Sequence, residues 1–426
     1  MLQELRALSR RGAGEPARGI VSVCSAHAWV IEATFRHACD ATGPVLIEAT
    51  CNQVNQFGGY TGMTPADFRR FVEGIAASVG FPLERLILGG DHLGPNPWRD
   101  KPAELAMQHA EAMVVAYVEA GFSKIHLDAS MGCGGELEAV GDSLAADRAA
   151  RLAAAAEVAA DRSGALPPLY IIGTEVPTPG GALEALDHVV PTSPEAAFET
   201  HRIHADAFAA AGLVEAFSRV VGLVVQPGVE FGDADVMHYR RERAADLSAT
   251  LGRLPGLTFE AHSTDYQNRA ELAALVDDGF CILKVGPWLT FALREALYGL
   301  DAIAMDLGLA EPDEGLKAAM ERLMLAEPKY WQKYYAGDAD TLRVKRHFSF
   351  SDRIRYYWPH PDAQKAVADL FHRLEGATIP FPLISQHLGQ IADRAALAAV
   401  PPTPKTLVFA SISRVLDLYA GAARVI

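Results

Sequence analysis

Asp91 and His92 stand side by side after the short apolar run 86–89, and Leu93-Gly94-Pro95 follows them. A short apolar run between turn residues reads as a fully buried strand. The acid and the imidazole then sit at its C-terminal end, where parallel α/β proteins bind ligands. A carboxylate that moves protons beside a metal-ligating histidine is the chemistry this offers. The alternative is an aspartate that caps a turn, next to a core histidine.

Seven other runs change from apolar to polar in the same way. Run 19–26 brings Cys24, Ser25 and, just beyond, His27, while run 45–49 brings Glu48, Thr50, Asn52 and Gln53. Run 124–127 gives His126, Asp128 and Ser130; run 169–173 gives Thr174 and Glu175; run 220–225 gives Gln226 and Glu230. Run 258–261 closes on Glu260, His262, Ser263 and Asp265, and run 281–285 on Lys284. Ser130, Thr50 and Asp265 are equally good helix N-caps. Glutamate and histidine cap poorly, so Glu175, His92 and His262 point to function.

His92 and His262 come from opposite sides of such a set, and Glu175, Gln226 and Asp128 can complete an N/O site. Those ligands suit a divalent ion such as Zn²⁺ or Mn²⁺. Asp91, Glu175 and Asp128 are the candidate catalytic carboxylates, and Ser25, Glu48, Asn52 and Gln53 the candidate substrate contacts. Lys284 can form a Schiff base or bind an anionic group; ligand binding ranks first. Arg353 and Arg355 lie among Tyr356, Tyr357 and Trp358. They read either as a phosphate clamp or as an arginine–aromatic packing joint.

The elements that must hold these residues follow from the rhythm of the runs. Eight apolar runs alternate with helical patterns over roughly 300 residues, as in a (β/α)₈ TIM barrel. Thr64-Pro65 predicts one helix start, and Gly121 one helix end. An open doubly wound sheet would need a glycine fingerprint after its first strand, and there is none. Beyond about residue 308 the strand rhythm stops. The expected division is a barrel over 1–308 and a helical C-terminal extension, 309–426, packed on it.

The 426 residues carry a net charge of −15, which argues against a nucleic-acid partner. Five scattered cysteines fit a reducing cytosol and give no zinc-finger spacing. No stretch of about 18 uncharged apolar residues occurs, so no membrane span is expected.

The blocks Cys24-Ser25-Ala26-His27, 46–65, 89–95, 121–131, 173–177, 226–231, 260–267, 283–287 and 351–359 closely resemble the non-catalytic subunit family of class II D-tagatose-1,6-bisphosphate aldolase. The resemblance spans nearly the whole chain. It implies a TIM barrel related to class II aldolases, and it implies one of three roles. Some members are partner subunits that stabilise the aldolase. Others are D-tagatose-6-phosphate 4-epimerases, acting on a phosphorylated ketohexose. Many carry the label tagatose-6-phosphate kinase. A kinase needs a nucleotide cradle, and no G-x-x-x-x-G-K-[ST] motif is present. A pure scaffold has no use for the acids, histidines and lysine at the strand ends, so an enzyme is favoured. A homo-oligomer is left open.

In a 2-ketose the C4 hydrogen is not α to the carbonyl, so simple proton abstraction cannot invert C4. With no dinucleotide fingerprint, the expected route is C3–C4 cleavage, rotation of the aldehyde and re-addition. It calls for a Lewis acid at the C2 and C3 oxygens and an acid/base at the C4 hydroxyl. Class II aldolases place a catalytic Asp immediately before a metal-binding His, which the resemblance carries onto Asp91-His92. Their further metal histidine falls near Gln226. Lys284, Arg353 and Arg355 are the candidates for the 6-phosphate.

Overall fold

A computed structural model describes residues 2–9, 17–174, 189–397 and 401–424 of the chain. Each of the eight expected runs forms a strand: β1 (Ile20–Val23), β2 (Val45–Thr50), β3 (Leu86–Leu93), β4 (Lys124–Leu127), β5 (Leu169–Ile172), β6 (Val220–Val225), β9 (Thr258–Ala261) and β10 (Ile282–Val285). They pair in parallel, in chain order, and β10 closes on β1. This is a (β/α)₈ TIM barrel. Between β6 and β9 lies a two-stranded antiparallel ribbon, β7 (Glu230–Phe231) with β8 (Val236–Met237).

Side chains alternate along a strand, so residues two apart share the barrel interior. At the N-terminal end that interior is apolar: Ile20, Leu46, Ile87, Leu169 and Ile282 cluster with Leu5 from the first helix, Leu2–Ala7. Two residues further along four of these strands come Ser22, Glu48, Gly89 and Lys284. The barrel interior thus passes from purely apolar to polar and charged within one layer of side chains.

The helices start and stop where their sequences say. Helix Pro65–Val79 begins at Thr64, whose hydroxyl accepts from the Asp67 N–H at 3.3 Å while Asp67 accepts from the Thr64 N–H. The glycine after helix Ala103–Glu119, Gly121, has φ +86°, a left-handed turn that a side chain resists.

After residue 308 the described chain is helical. Its last helix, Pro404–Ala423, packs between Ala28–Ala38 and Arg269–Asp277 and against Pro287–Asp306. Tyr419 donates to the Thr264 carbonyl at 2.8 Å, and the Gly19 N–H donates to the Ala423 carbonyl at 2.9 Å. The end of the chain is thus part of the barrel wall. By length and composition this helix is apolar enough to cross a bilayer, but Leu407, Val408, Ile412, Val415 and Leu416 are buried in the fold.

Candidate active site

The floor of the site is a buried ion network. Lys124 Nζ lies 2.5 Å from Glu48 and 2.7 Å from Glu260. Lys284 pairs with Glu48, lies 2.8 Å from Asp91 and 3.7 Å from Glu260. Strand register makes the first contact feasible, because Glu48, Gly89 and Lys124 are successive partners across β2, β3 and β4. A Cβ on Gly89 would come within 2.6 Å of Glu48 Oε1, so the glycine clears the path between glutamate and lysine. Burial opposes charge on both lysines, but the facing carboxylates outweigh it and hold both ammonium groups charged.

Three imidazoles stand above this floor. His126 and His262 lie two residues beyond Lys124 and Glu260, on the same inward face. His92 arrives differently. The β3–β4 register shifts between Gly90 and Leu93, and His92 has φ +49°. That irregularity lets adjacent Asp91 and His92 both reach the interior, which a regular strand forbids. The rings lie 4.8–5.3 Å apart, centre to centre.

Each imidazole is held by a carboxylate through one nitrogen. His92 Nδ1 is 2.8 Å from Asp128, His126 Nδ1 is 3.0 Å from Asp91, and His262 Nε2 is 2.9 Å from Glu260. Metal-ligating histidines are oriented in this way, with the second nitrogen left to the ion. His126 Nε2 is buried with no hydrogen-bond partner. One ligating atom each from Asp91, His92, His126 and His262 falls within a mutual 4.8 Å.

The electrostatics agree. Four buried carboxylates, Glu48, Asp91, Asp128 and Glu260, face two ammonium groups, so the cluster lacks positive charge. Burial opposes protonation of His92, yet Asp91 and Asp128 raise its pKa. Burial drives His262 down to about 3, keeping it in the neutral form that ligates. Burial resists ionisation of Asp91, but His92 and Lys284 hold it well below the usual carboxylate range. The residues present fit a divalent cation.

Several expected roles change. Gln226 Oε1 accepts from the Gly228 and Val229 N–H groups at 2.8 and 2.9 Å. Its side-chain oxygen is therefore engaged by the loop after β6, and Gln226 is not among the residues grouped around the imidazoles. Glu175 lies outside the described residues. Glu48 is fully buried between two lysines and cannot be a substrate contact. Lys284 borders the chamber, but its ammonium group already faces Glu48, Asp91 and Glu260. Asp128 accepts from His92 and from Ser130 Oγ at 2.8 Å, the geometry of a positioning group. Ser25 Oγ accepts from the His27 N–H at 3.3 Å and shapes a helix entry. Asp265 is a cap, accepting from the Gly286 and Trp288 N–H groups at 3.1 and 2.8 Å ahead of helix Pro287–Asp306.

The two arginines separate. Arg353 lies 3.3 Å over the Tyr334 ring and donates to the Tyr330 carbonyl, which makes it a packing joint. Arg355 instead borders the mouth. Its Nη1 donates to the Ser351 and Asp352 carbonyls and its Nη2 to the Tyr356 hydroxyl at 2.9 Å. The sequence puts His126 and Glu260 at strand ends without giving either a role, and it does not point to Lys124 at all. The signal for them is the two-residue spacing Lys124/His126 and Glu260/His262 along strands.

Over the imidazoles is a polar chamber of about 90 Å³, walled by Asp91, His92, His262, Asn52, Gln53 and Tyr356 among others. Beside it lies a larger, mainly apolar chamber of about 590 Å³. Cys24, Gln53, Tyr60, Gly286 and Arg355 line both.

Known proteins share this chain's whole length. A D-tagatose 6-phosphate 4-epimerase of Agrobacterium fabrum is 55% identical over 423 residues, covering 99% of this chain and 98% of the relative. A D-tagatose-1,6-bisphosphate aldolase subunit GatZ of Salmonella enteritidis is 50% identical over 412 residues, 97% of each. A crystal structure from Sinorhizobium meliloti, described as a probable tagatose 6 phosphate kinase, is 57% identical. It superposes with a TM-score of 0.88 over 95% of this chain and 100% of that one. The family model for the D-tagatose-1,6-bisphosphate aldolase subunit GatZ/KbaZ-like proteins matches residues 3–424, and the chain belongs to that family.

Proposed function

We propose that this protein is a sugar-phosphate 4-epimerase that interconverts D-tagatose 6-phosphate and D-fructose 6-phosphate. The carrying observation is the set of three imidazoles, each tethered by a carboxylate, with Asp91 among them at a barrel mouth. The 55% identical relative bears that activity in its name.

His92, His126 and His262 would hold the metal, with Asp91 alongside; imidazole and carboxylate ligands suit Zn²⁺ or Mn²⁺. Such an ion supplies Lewis-acid stabilisation of the negative charge that develops at the substrate's carbonyl oxygen. Asp91, kept ionised by its cationic neighbours, takes the C4 hydroxyl proton as the C3–C4 bond breaks. The products of that cleavage are a three-carbon fragment and an aldehyde that keeps the phosphate. The aldehyde turns, presents its other face and is re-attacked, which inverts C4. Asn52 and Gln53 border the chamber as substrate contacts, and Arg355 is the cation for the 6-phosphate.

A second reading has a specific support, the GatZ relatives at 50% identity. Under it the chain also stabilises the catalytic subunit of a tagatose-bisphosphate aldolase. The kinase label lacks a nucleotide cradle in the sequence. The cysteines are scattered along the chain with no paired spacing, which supports a cytoplasmic location.

The test is to incubate the purified chain alone with D-tagatose 6-phosphate and follow D-fructose 6-phosphate. Product is expected, and chelation should stop it. No product with or without added Mn²⁺ or Zn²⁺ sinks the epimerase reading. Greater stability of a co-expressed aldolase would then support the subunit role, and ATP-dependent bisphosphate formation the kinase role.

A further inference from the structure

Inversion by cleavage and re-addition moves the C4 oxygen. When the aldehyde turns over, its oxygen swings from one side of the chamber to the other. A single fixed group within hydrogen-bond reach of one position is out of reach of the other. An epimerase of this kind needs a proton acceptor on one side and a second one opposite. On the epimerase reading, then, the wall of the chamber should carry a second proton-transfer group besides Asp91.

Most groups in the wall of the polar chamber are already engaged. Lys284 is held by Glu48 and Asp91, and Asp265 by two backbone N–H groups. His92 and His262 belong to the imidazole cluster. The Cys24 thiol lies 3.7 Å from Asp91 and 4.0 Å from Glu48, and burial pushes its pKa up. Burial also pushes the Tyr60 phenol up.

Tyr356 differs from all of these. It belongs to the turn Arg353–Tyr357, in the C-terminal part of the chain, whereas Asp91 is on β3. Its hydroxyl accepts from Arg355 Nη2 at 2.9 Å, and among the described residues no acceptor takes its own proton. Its ring is fixed, stacked on Tyr330 at 5.2 Å and edge-on to Tyr60 at 4.9 Å. Guanidinium carbons lie 4.5 Å (Arg355) and 5.0 Å (Arg353) from the ring centre. Burial works against ionisation of this phenol, but the two arginines outweigh it and its pKa falls below the ordinary tyrosine value.

We propose that Tyr356 is the second acid/base of the reaction, serving the C4 oxygen of the epimer that Asp91 does not serve. In one direction the phenol gives its proton to the C4 oxygen as the bonding pair of the three-carbon fragment attacks the aldehyde carbon. In the other, the phenolate takes the C4 hydroxyl proton as that pair withdraws and C3–C4 breaks. Each turnover moves a proton between Asp91 and Tyr356 by way of the substrate oxygen, and exchange with water resets both groups.

Tyr356→Phe keeps the ring and its stacking, so the variant should match the wild type in thermal midpoint and bound metal. Its kcat should fall about 100-fold in both directions with KM little changed. Acid-quenched single turnovers, assayed for glyceraldehyde 3-phosphate, separate the half-reactions. The wild type should release that fragment from both sugars, the variant from one only, and Asp91→Asn from the other only. A Tyr356→Phe protein with kcat within about threefold of wild type overturns the proposal, and so does release from both sugars or from neither. Failure of the epimerase reading looks different: the wild type itself converts neither sugar, and Tyr356 then has no such role.

Discussion

Asp91 and Asp128 look alike in sequence, each beside a ligand-type residue at a strand end, yet they do different work. Asp91 borders the chamber and touches Lys284 and His126; Asp128 is tied to His92 and Ser130. Asp91→Asn keeps the shape and the three imidazoles but removes the proton acceptor. Its kcat should fall by about 10²–10⁴ and stay down at saturating metal, with full occupancy checked by atomic emission, because the missing group is the proton acceptor and not the ion. Asp128→Asn should do the reverse, weakening metal affinity about 10–100-fold because His92 loses its orienting partner, with activity recovering at high metal. Equal turnover in the first variant, or unchanged affinity in the second, would reverse these assignments.

At the scale of the strand, the site depends on two departures from regularity, both in β3. The bulge turns His92 inward beside Asp91, and Gly89 leaves room for Glu48. In Gly89→Ala the new methyl meets Glu48 Oε1, Cγ and Cδ at 2.6, 2.8 and 2.9 Å. Glu48 cannot retreat without leaving Lys124 and Lys284, so urea denaturation should show a loss of about 1–3 kcal/mol. An unchanged midpoint would mean that the network yields freely. The strands themselves were legible because each is an apolar run of near-constant length, and His92 and His262 were legible because they follow such runs. Lys124 was not, since a lysine opening an apolar run reads as a solvent-facing strand start. Only the pairing of β4 with β3 and β5 shows it to be fully buried opposite Glu48. For Gln226, spacing gives the strand end, but only the loop's own backbone decides where the amide oxygen points.

Across the whole molecule, the C-terminal part of the chain does more than cover the barrel. Asp352 joins the two through a 2.6 Å hydrogen bond from Thr290 on helix Pro287–Asp306, and Asp352 Oδ1 is buried without a partner. Burial raises this carboxyl from 3.8 to about 7, with Arg355, Thr290 and Arg294 pulling the other way. In the unfolded chain the same group ionises near its ordinary value. Between about pH 4 and 7 the folded protein therefore holds a proton that the unfolded one has released, and folding weakens as pH rises through that window. Above it the native state must carry a buried, half-satisfied anion. Asp352→Asn removes the titration and keeps the acceptor for Thr290. The variant should gain on the order of 2 kcal/mol over wild type at pH 8 and little at pH 4, read as the difference between denaturation midpoints at the two values. A difference that stays constant with pH would show that Asp352 is already ionised in the folded state, and that Arg355 and Arg294, rather than a proton, neutralise it where the tail meets the barrel.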